Sequence, residues 1–137
     1  KINIQIDQLN ILPLICYEVI FTNLVQTASS NTNLIVNISE DAWFGNTIGP
    51  DQHYAKSIFR AIEKGTFFLR SANQGISVII DNKGEPLKQL ERNEAGNIEY
   101  AVPLIKSDSS KNDLIFFLLL ITYLFIFNFY KIKKYGK

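Results

Sequence analysis

The sequence predicts an α/β layered domain followed by one C-terminal transmembrane helix. Two observations predict the domain: short apolar runs rich in branched residues alternate with a long helical pattern, and a glycine-containing turn joins the last two runs. The third observation is an uncharged apolar run near the C-terminus, which predicts the membrane helix. We therefore expect four segments: a domain over residues 1–106, a linker over 107–113, the membrane helix over 114–130 and a basic tail over 131–137.

The composition limits the classes of function. A chain of 137 residues with 47% hydrophobic and 20% charged residues is typical of a globular domain, and a net charge of +1 does not favour nucleic acid as a partner. One cysteine excludes an internal disulfide, and with one histidine it cannot supply a zinc site, so we expect no metal and no cofactor. Methionine is absent and the first residues, "KINIQIDQ", look like the interior of a domain. We expect the chain to be the C-terminal part of a longer protein.

The apolar pattern places the main elements of the domain. The runs "ILPLIC", "NLIVNIS", "TFFLRSA" and "GISVIID" predict strands, because each is short, apolar and bounded by polar or glycine residues. Residues 51–65 predict a helix, since Tyr54, Ile58 and Ile62 recur every four residues and a glycine ends the segment. Gly84 in "DNKGEP" predicts the tight turn of a closing hairpin.

The uncharged run "LIFFLLLITYLFIFNFY" predicts the membrane helix. A buried helix of a soluble domain is the alternative, but such a helix normally keeps a polar face, and this run offers only Thr122 and Asn128. At about 1.5 Å per residue, the run with its flanking residues suits the roughly 30 Å hydrocarbon core. Lysines are concentrated after the run, so the positive-inside rule places the C-terminus in the cytoplasm and the domain on the outer side.

The only cysteine, Cys16, lies where a predicted strand ends and "YEVIFTNLVQTASS" predicts a helix. A strand-to-helix turn presents a nucleophile to solvent and to backbone N–H groups that favour a thiolate. The alternative is a buried core residue, which is common for free cysteines. Glu18 either contacts a substrate or a lysine, or simply occupies the first turn of the helix. We expect Tyr17 to pack against its neighbours.

The segment "SEDAWFGNTIGPDQH" predicts a long loop after a strand. Loops after strands often carry functional sites, so Trp43 and Phe44 either line an apolar pocket or cap the core. We interpret His53, at the start of the predicted helix, as structural, because the sequence identifies no partner for it.

Two arginines further along the chain have different interpretations. Arg60 and Glu63 lie three residues apart on the predicted helix, which is typical of a surface ion pair. Arg70 lies inside a predicted strand, where a charge requires a partner. The sequence does not reveal which residue that partner is.

Four segments together resemble the nitrilase-type domain of bacterial apolipoprotein N-acyltransferases: "LICYE", "SEDAWFGNTIGPDQH", "RAIEKGTFFLRSANQG" and "ISVIIDNKGEP". They follow in order from about Ile11 to Pro86, and the C-terminal span fits the same proteins. Cys-Tyr-Glu after an apolar strand is shared across the nitrilase superfamily, whereas Asp-Ala-Trp-Phe-Gly followed by Gly-Pro and Gln-His is more particular to the acyltransferases. The resemblance implies that the domain is the second half of a nitrilase-type α-β-β-α sandwich. It also implies a monomeric enzyme of the bacterial inner membrane with a periplasmic domain.

The resemblance implies a two-step acyl transfer in which Cys16 is the nucleophile. The thiolate would take an acyl group from a phospholipid, and the α-amine of a diacylglyceryl-cysteine apolipoprotein would accept it from the thioester. Tyr17 and Glu18 match the Tyr-Glu pair that the family requires beside the nucleophile. The residues expected to bind substrate are Trp43, Phe44 and Gly45.

Three departures from the family pattern stand beside the match. The family's glutamate general base and oxyanion lysine lie well upstream of the cysteine, but only fifteen residues precede Cys16, and neither Lys1 nor Asp7 lies at a plausible distance. We therefore expect the chain alone to be inactive. "IFTN" follows where Phe-Pro-Glu is frequent, and Glu40 stands where an asparagine is expected. Two alternatives stay open: an amidase of the superfamily, in which water takes the acyl group, and a non-catalytic membrane-tethered domain.

Overall fold

A computed structural model describes residues 3–105 and 112–135. Six strands form one mixed sheet in chain order, parallel at its centre between β2, β3 and β4 and antiparallel towards both edges. The α/β prediction is confirmed. The strands are β1 (Ile4–Ile6), β2 (Leu9–Ile15), β3 (Leu34–Glu40), β4 (Phe67–Asn73), β5 (Ser77–Ile80) and β6 (Pro86–Leu90). The helices are α1 (Thr22–Gln26), α2 (Gly49–Lys64) and α3 (Asn112–Tyr135), and two 3-10 turns cover Cys16–Ile20 and Ala42–Phe44.

The core lies on one face of the sheet. The register places Leu12, Ile35, Phe68 and Ile80 side by side across four neighbouring strands, and all four are fully buried. Residues of the first 3-10 turn and of α1 and α2 pack against this row. Alternation along each strand therefore directs one set of side chains into the core and the other set to the opposite face.

The opposite face of the sheet is apolar and only partly covered: Phe67 is buried there, but other side chains are exposed. Ile15 and Ile38 are register partners on neighbouring strands, and they are 58% and 59% exposed. Ile4 and Ile6 of the edge strand β1 are also exposed. An apolar sheet face that is left partly exposed is what one half of a two-sheet sandwich presents.

Helix α2 forms as the sequence predicts. Pro50 lies in its first turn and Gly65 ends it in the left-handed conformation, with φ of 63°. The interpretation of Arg60 and Glu63 as a surface pair is wrong in part: the ion pair exists at 3.0 Å, but Arg60 is 4% exposed. The reason is that α2 turns His53, Ser57, Arg60, Ala61 and Lys64 inward.

The prediction of one helix after Cys16 is wrong. The chain forms the 3-10 turn Cys16–Ile20, passes through an extended Phe21 and then forms only the short helix α1. The segment that includes Val19, Ile20 and Thr22 is branched at Cβ, and such residues lose side-chain freedom in a helix. Val19 and Val25, on either side of this break, are both buried in the core.

Helix α3 includes an 18-residue window, Leu114–Lys131, with a mean hydropathy of 2.0 and no buried residue. By length and composition it could cross a membrane. Two polar side chains in this window bond within the helix: Thr122 donates to the carbonyl of Leu118 and Asn128 to the carbonyl of Leu124. Most of the predicted linker, residues 107–111, and the last two residues of the predicted tail lie outside the described residues.

Candidate active site

Cys16 lies directly after β2, at the edge of the sheet where the parallel strands end. Side chains that follow parallel strands meet at this edge, which is the usual place for a site in an α/β domain. The backbone of Cys16 has a positive φ of 48°, which is rare for a residue with a side chain. The predicted sharp turn at the thiol is therefore present, although a 3-10 turn and not an α-helix follows it.

The turn at Cys16 is fixed by side chains from neighbouring elements. The amide nitrogen of Asn37 donates to the carbonyl oxygens of Leu14 at 3.1 Å and of Cys16 at 3.2 Å. The Cys16 sulfur lies 3.8 Å from Ser39 Oγ and 4.0 Å from the carbonyl oxygen of Glu40. Strand β3 therefore holds both the backbone and the sulfur of the candidate nucleophile.

Glu18 and Tyr17 contribute to the same turn in different ways. The Glu18 carboxylate accepts a hydrogen bond of 2.7 Å from the backbone N–H of Ile15, so it caps the turn that follows the strand. Tyr17 is half exposed, and its ring centre lies 6.4 Å from Phe44 and 5.6 Å from His53. The structure thus brings Tyr17 and Phe44, two of the predicted site residues, into one aromatic cluster.

A buried polar network, whose members the sequence does not identify, lies beneath the turn. Arg70 donates to Asn37 Oδ1 at 2.6 Å and to Asp41 Oδ2 at 2.5 Å. Asp41 Oδ1 accepts from Ser39 Oγ at 2.7 Å and lies 2.9 Å from His53 Nδ1. Because an ionised carboxylate only accepts, we assign the proton of this bond to Nδ1. The partner that the charge of Arg70 requires is therefore supplied jointly by Asn37 and Asp41.

The network favours the charged form of Asp41. Burial alone would raise the pKa of this carboxyl, but hydrogen bonds from His53 and Ser39 and the charge of Arg70 lower it from 3.8 to about 2. Burial lowers the pKa of Arg70, and the negative charge of Asp41 opposes that shift. The two groups consequently form an ion pair whose side chains have no exposed surface.

A cavity of about 220 Å³ lies beside the turn. It is lined by Tyr17, Ile20, Phe44, Gly49, Gln52, His53 and Lys56. A side chain at Gly49 would collide with the ring of Phe44, so this glycine permits the close approach of α2 to the loop. The cavity joins an aromatic wall to polar groups of α2 and has the composition of a small ligand pocket.

The other residues of the Asp-Ala-Trp-Phe-Gly segment lie apart from this cavity. Trp43 is 86% exposed and lines a shallow hollow with Glu40, Ala42 and Asn73, so it does not cap the core. Gly45 adopts a φ of 54° with open space around it. Of the three predicted substrate-binding residues, only Phe44 lines the cavity beside the turn.

Glu40, which stands where the family resemblance predicts an asparagine, stabilises the loop. Its carboxylate accepts from the backbone N–H of Ala42 at 3.0 Å and from the side chain of Asn73 at 2.7 Å. It therefore ties the end of β3 to the end of β4. In residues 3–105 and 112–135, no group of three or more His, Cys, Asp or Glu side chains is placed to bind a metal ion.

Comparisons with known proteins identify the family of the chain. The family model for carbon-nitrogen hydrolases matches residues 3–111. The chain is 42% identical over 130 residues to an apolipoprotein N-acyltransferase of Rickettsia bellii and 46% identical over 95 residues to one of Rickettsia typhi. These matches cover 92% and 69% of the chain but only 26% and 19% of the relatives. The chain thus spans about a quarter of the first relative's length.

Solved structures show the same fold. A CN-hydrolase superfamily protein from Xanthomonas campestris matches with a TM-score of 0.58 at 16% identity, over 69% of this chain and 40% of that one. A mutant amidase of the nitrilase superfamily from Nesterenkonia matches with a TM-score of 0.51 at 22% identity, over 62% of this chain and 35% of that one. Both likenesses concern the arrangement of strands and helices.

Proposed function

Because the chain belongs to the carbon–nitrogen hydrolase family, we propose that the protein containing it transfers a fatty acyl group from a phospholipid to a lipoprotein amine through Cys16. The observation that carries the proposal is the turn at positive φ, which carries the thiol and whose Tyr17 and Ile20 line an aromatic-walled cavity. The similarity to proteins named apolipoprotein N-acyltransferase selects this reaction within the family.

The proposed reaction has two balanced steps. In the first, the Cys16 thiolate attacks the ester carbonyl of a phospholipid, a C–S bond forms, and the C–O bond breaks to release a lysophospholipid that takes up a proton. In the second, the α-amine of a diacylglyceryl-cysteine attacks the thioester, the C–S bond breaks, and an amide forms as the amine loses a proton. The general base and the oxyanion lysine that the family resemblance implies would come from the rest of the protein.

The residues around the thiol would have separate roles in shaping the turn and in binding the lipid. Glu18 would keep the turn in shape through the N–H of Ile15, and Tyr17 with Phe44 would form the wall against which an acyl chain packs. Trp43, a large exposed ring, would contact the lipid further from the sulfur, and Gly45 would give its loop the required bend. Alanine at Phe44 or Trp43 should raise the KM for the phospholipid more than it lowers kcat.

Helix α3 supports the proposed location. The helix would anchor the protein in the bacterial inner membrane, with the domain outside the cytoplasm, the C-terminus inside it and the protein acting as a monomer. Both lipid substrates would then lie in the leaflet that faces the domain. A membrane anchor suits these substrates because neither leaves the bilayer.

The test uses membranes that contain the complete gene product. They are incubated with acyl-labelled phospholipid and a diacylglyceryl-cysteine peptide, and the N-acylated peptide is measured by mass spectrometry. We expect acylated peptide from the wild type and none from Cys16→Ala. Release of labelled free fatty acid with no acylated peptide would instead indicate that water takes the acyl group, as in the amidases. If folded protein consumes no phospholipid, the proposed function is rejected.

A further inference from the structure

One buried cation is connected to both sides of Cys16. One terminal nitrogen of Arg70 donates a hydrogen bond to Asn37 Oδ1 at 2.6 Å, and the side-chain amide nitrogen of Asn37 donates to the Cys16 carbonyl at 3.2 Å. This first connection reaches the backbone of the nucleophile. Since Asn37 and Arg70 are register partners on β3 and β4, the sheet itself sets their separation.

The second connection reaches the sulfur. The other terminal nitrogen of Arg70 donates a hydrogen bond to Asp41 Oδ2 at 2.5 Å, and Asp41 Oδ1 accepts one from Ser39 Oγ at 2.7 Å. Ser39 Oγ lies 3.8 Å from the sulfur of Cys16. Asp41, whose carboxylate completes this connection, directly precedes the turn Ala42–Phe44, and Phe44 lines the cavity.

The turn at Cys16 depends on such support. A residue with a side chain stays at positive φ only where its surroundings over-determine that conformation. A displacement of about 1 Å at a reacting group can lower a rate about a hundredfold. The planar fork of arginine can hold two acceptors at once, which the single ammonium of lysine does not do in the same geometry.

We propose that Arg70 is a positioning residue: through Asn37 and Asp41 it fixes the Cys16 turn and the adjoining pocket wall relative to each other. The expected effect of Arg70 on the rate of acyl transfer rests on the proposed function. Its expected effect on the reactivity of the Cys16 thiol does not. The proposal assigns Asn37 the same role on the backbone side of the turn.

The test compares Arg70→Lys and Asn37→Leu with a matched control, Arg60→Lys, in the complete gene product in membranes. Arg60 is also a buried arginine, but it forms its ion pair with Glu63. For each variant, kcat and KM of thioester formation are measured per folded molecule. Alkylation of Cys16 by iodoacetamide is followed by mass spectrometry of its peptide.

For Arg70→Lys and Asn37→Leu we expect kcat to fall about 10- to 100-fold with KM within about twofold of the wild type. Alkylation should slow by about tenfold, because a relaxed turn no longer presents the sulfur. The double variant should lose less than the product of the two single losses, since both changes break one connected network. Arg60→Lys should leave both rates within about twofold.

Two results would overturn the proposal: rates per folded molecule within about twofold of the wild type, or losses equal to those of the Arg60→Lys control. If Asn37→Leu does not fold, Asn37→Ser replaces it, because serine fits the space but cannot reach both carbonyls. If the wild type forms no thioester, the proposed function fails. The alkylation rates then still decide whether Arg70 positions the thiol.

Discussion

Two Arg–Asp ion pairs of nearly equal length lie in different surroundings. Arg70 and Asp41 are 2.5 Å apart with no exposed side-chain surface, whereas Arg92 and Asp51 are 2.6 Å apart with 30% and 54% exposure. Two buried charges each depend on the other, because neither is solvated by water, while exposed charges are screened. Burial, and not distance, therefore separates the pair that supports the candidate site from the pair on the surface.

The largest expected difference comes from removing each carboxylate charge. Asp41→Asn leaves Arg70 as a buried charge without its counter-ion and should cost about 3–5 kcal/mol of unfolding free energy. Asp51→Asn should cost less than about 1 kcal/mol, because water replaces the lost partner of Arg92. Urea unfolding of both variants checks this, and equal costs would contradict the role given to burial.

A smaller effect should follow from crowding the buried pair while both charges stay in place. A side chain at Gly75 would collide with the carboxylate of Asp41, so Gly75→Ala should cost about 1–3 kcal/mol. Gly45→Ala is the control: it meets no atom within 4 Å and should cost about 1 kcal/mol through its φ of 54° alone. A smaller cost at Gly75 than at Gly45 in urea unfolding would argue against a tightly packed carboxylate.

The buried pair should also make stability depend on acid. The pKa of Asp41 is depressed from 3.8 to about 2, so the folded protein favours the carboxylate more than the unfolded chain does. The stabilisation, about 2 kcal/mol, is fully present above pH 4 and is lost as the pH falls from about 4 to about 2. The unfolding free energy measured across this range should show a component that Asp41→Asn removes. A pH dependence unchanged by that substitution would contradict the assignment.

The smallest effect concerns salt. Raising the ionic strength from about 0.1 M to 1 M shortens the screening length from about 10 Å to about 3 Å. The cost of Asp51→Asn should then fall towards zero, while the cost of Asp41→Asn changes little. Parallel urea titrations at the two salt concentrations check this difference. An equal salt response of the two variants would contradict the role given to burial.

The sequence predicted the local features of this arrangement better than the long-range ones. The helical spacing located α2, and the apolar run ending in "LIC" located the turn at Cys16, because both patterns are set by neighbours along the chain. The charge of Arg70 inside a strand correctly indicated a partner. Its partners are 33 and 29 residues away, so only the sheet register and the fold of the loop reveal that they are Asn37 and Asp41.

What the sequence does not predict has the same origin. Spacing of three residues predicts that Arg60 and Glu63 pair, but the rotation of α2 against the sheet decides that Arg60 is buried. The sequence identifies no partner for His53, and the fold supplies two contacts for it, Asp41 and the ring of Phe44 in the cavity wall. A histidine at the start of a helix that follows an Asp-Ala-Trp-Phe-Gly segment was the available signal for that contact.

The central claim, that Cys16 carries the acyl group, is tested most directly by mass spectrometry of the intermediate. The complete gene product in membranes is incubated with acyl-labelled phospholipid without an acceptor, and the peptide containing Cys16 is isolated. We predict a hydroxylamine-sensitive adduct of one acyl group on this peptide, absent from Cys16→Ala and discharged when a diacylglyceryl-cysteine peptide is added. A folded wild-type protein without this adduct would contradict the claim and leave Cys16 as a structural residue of the turn.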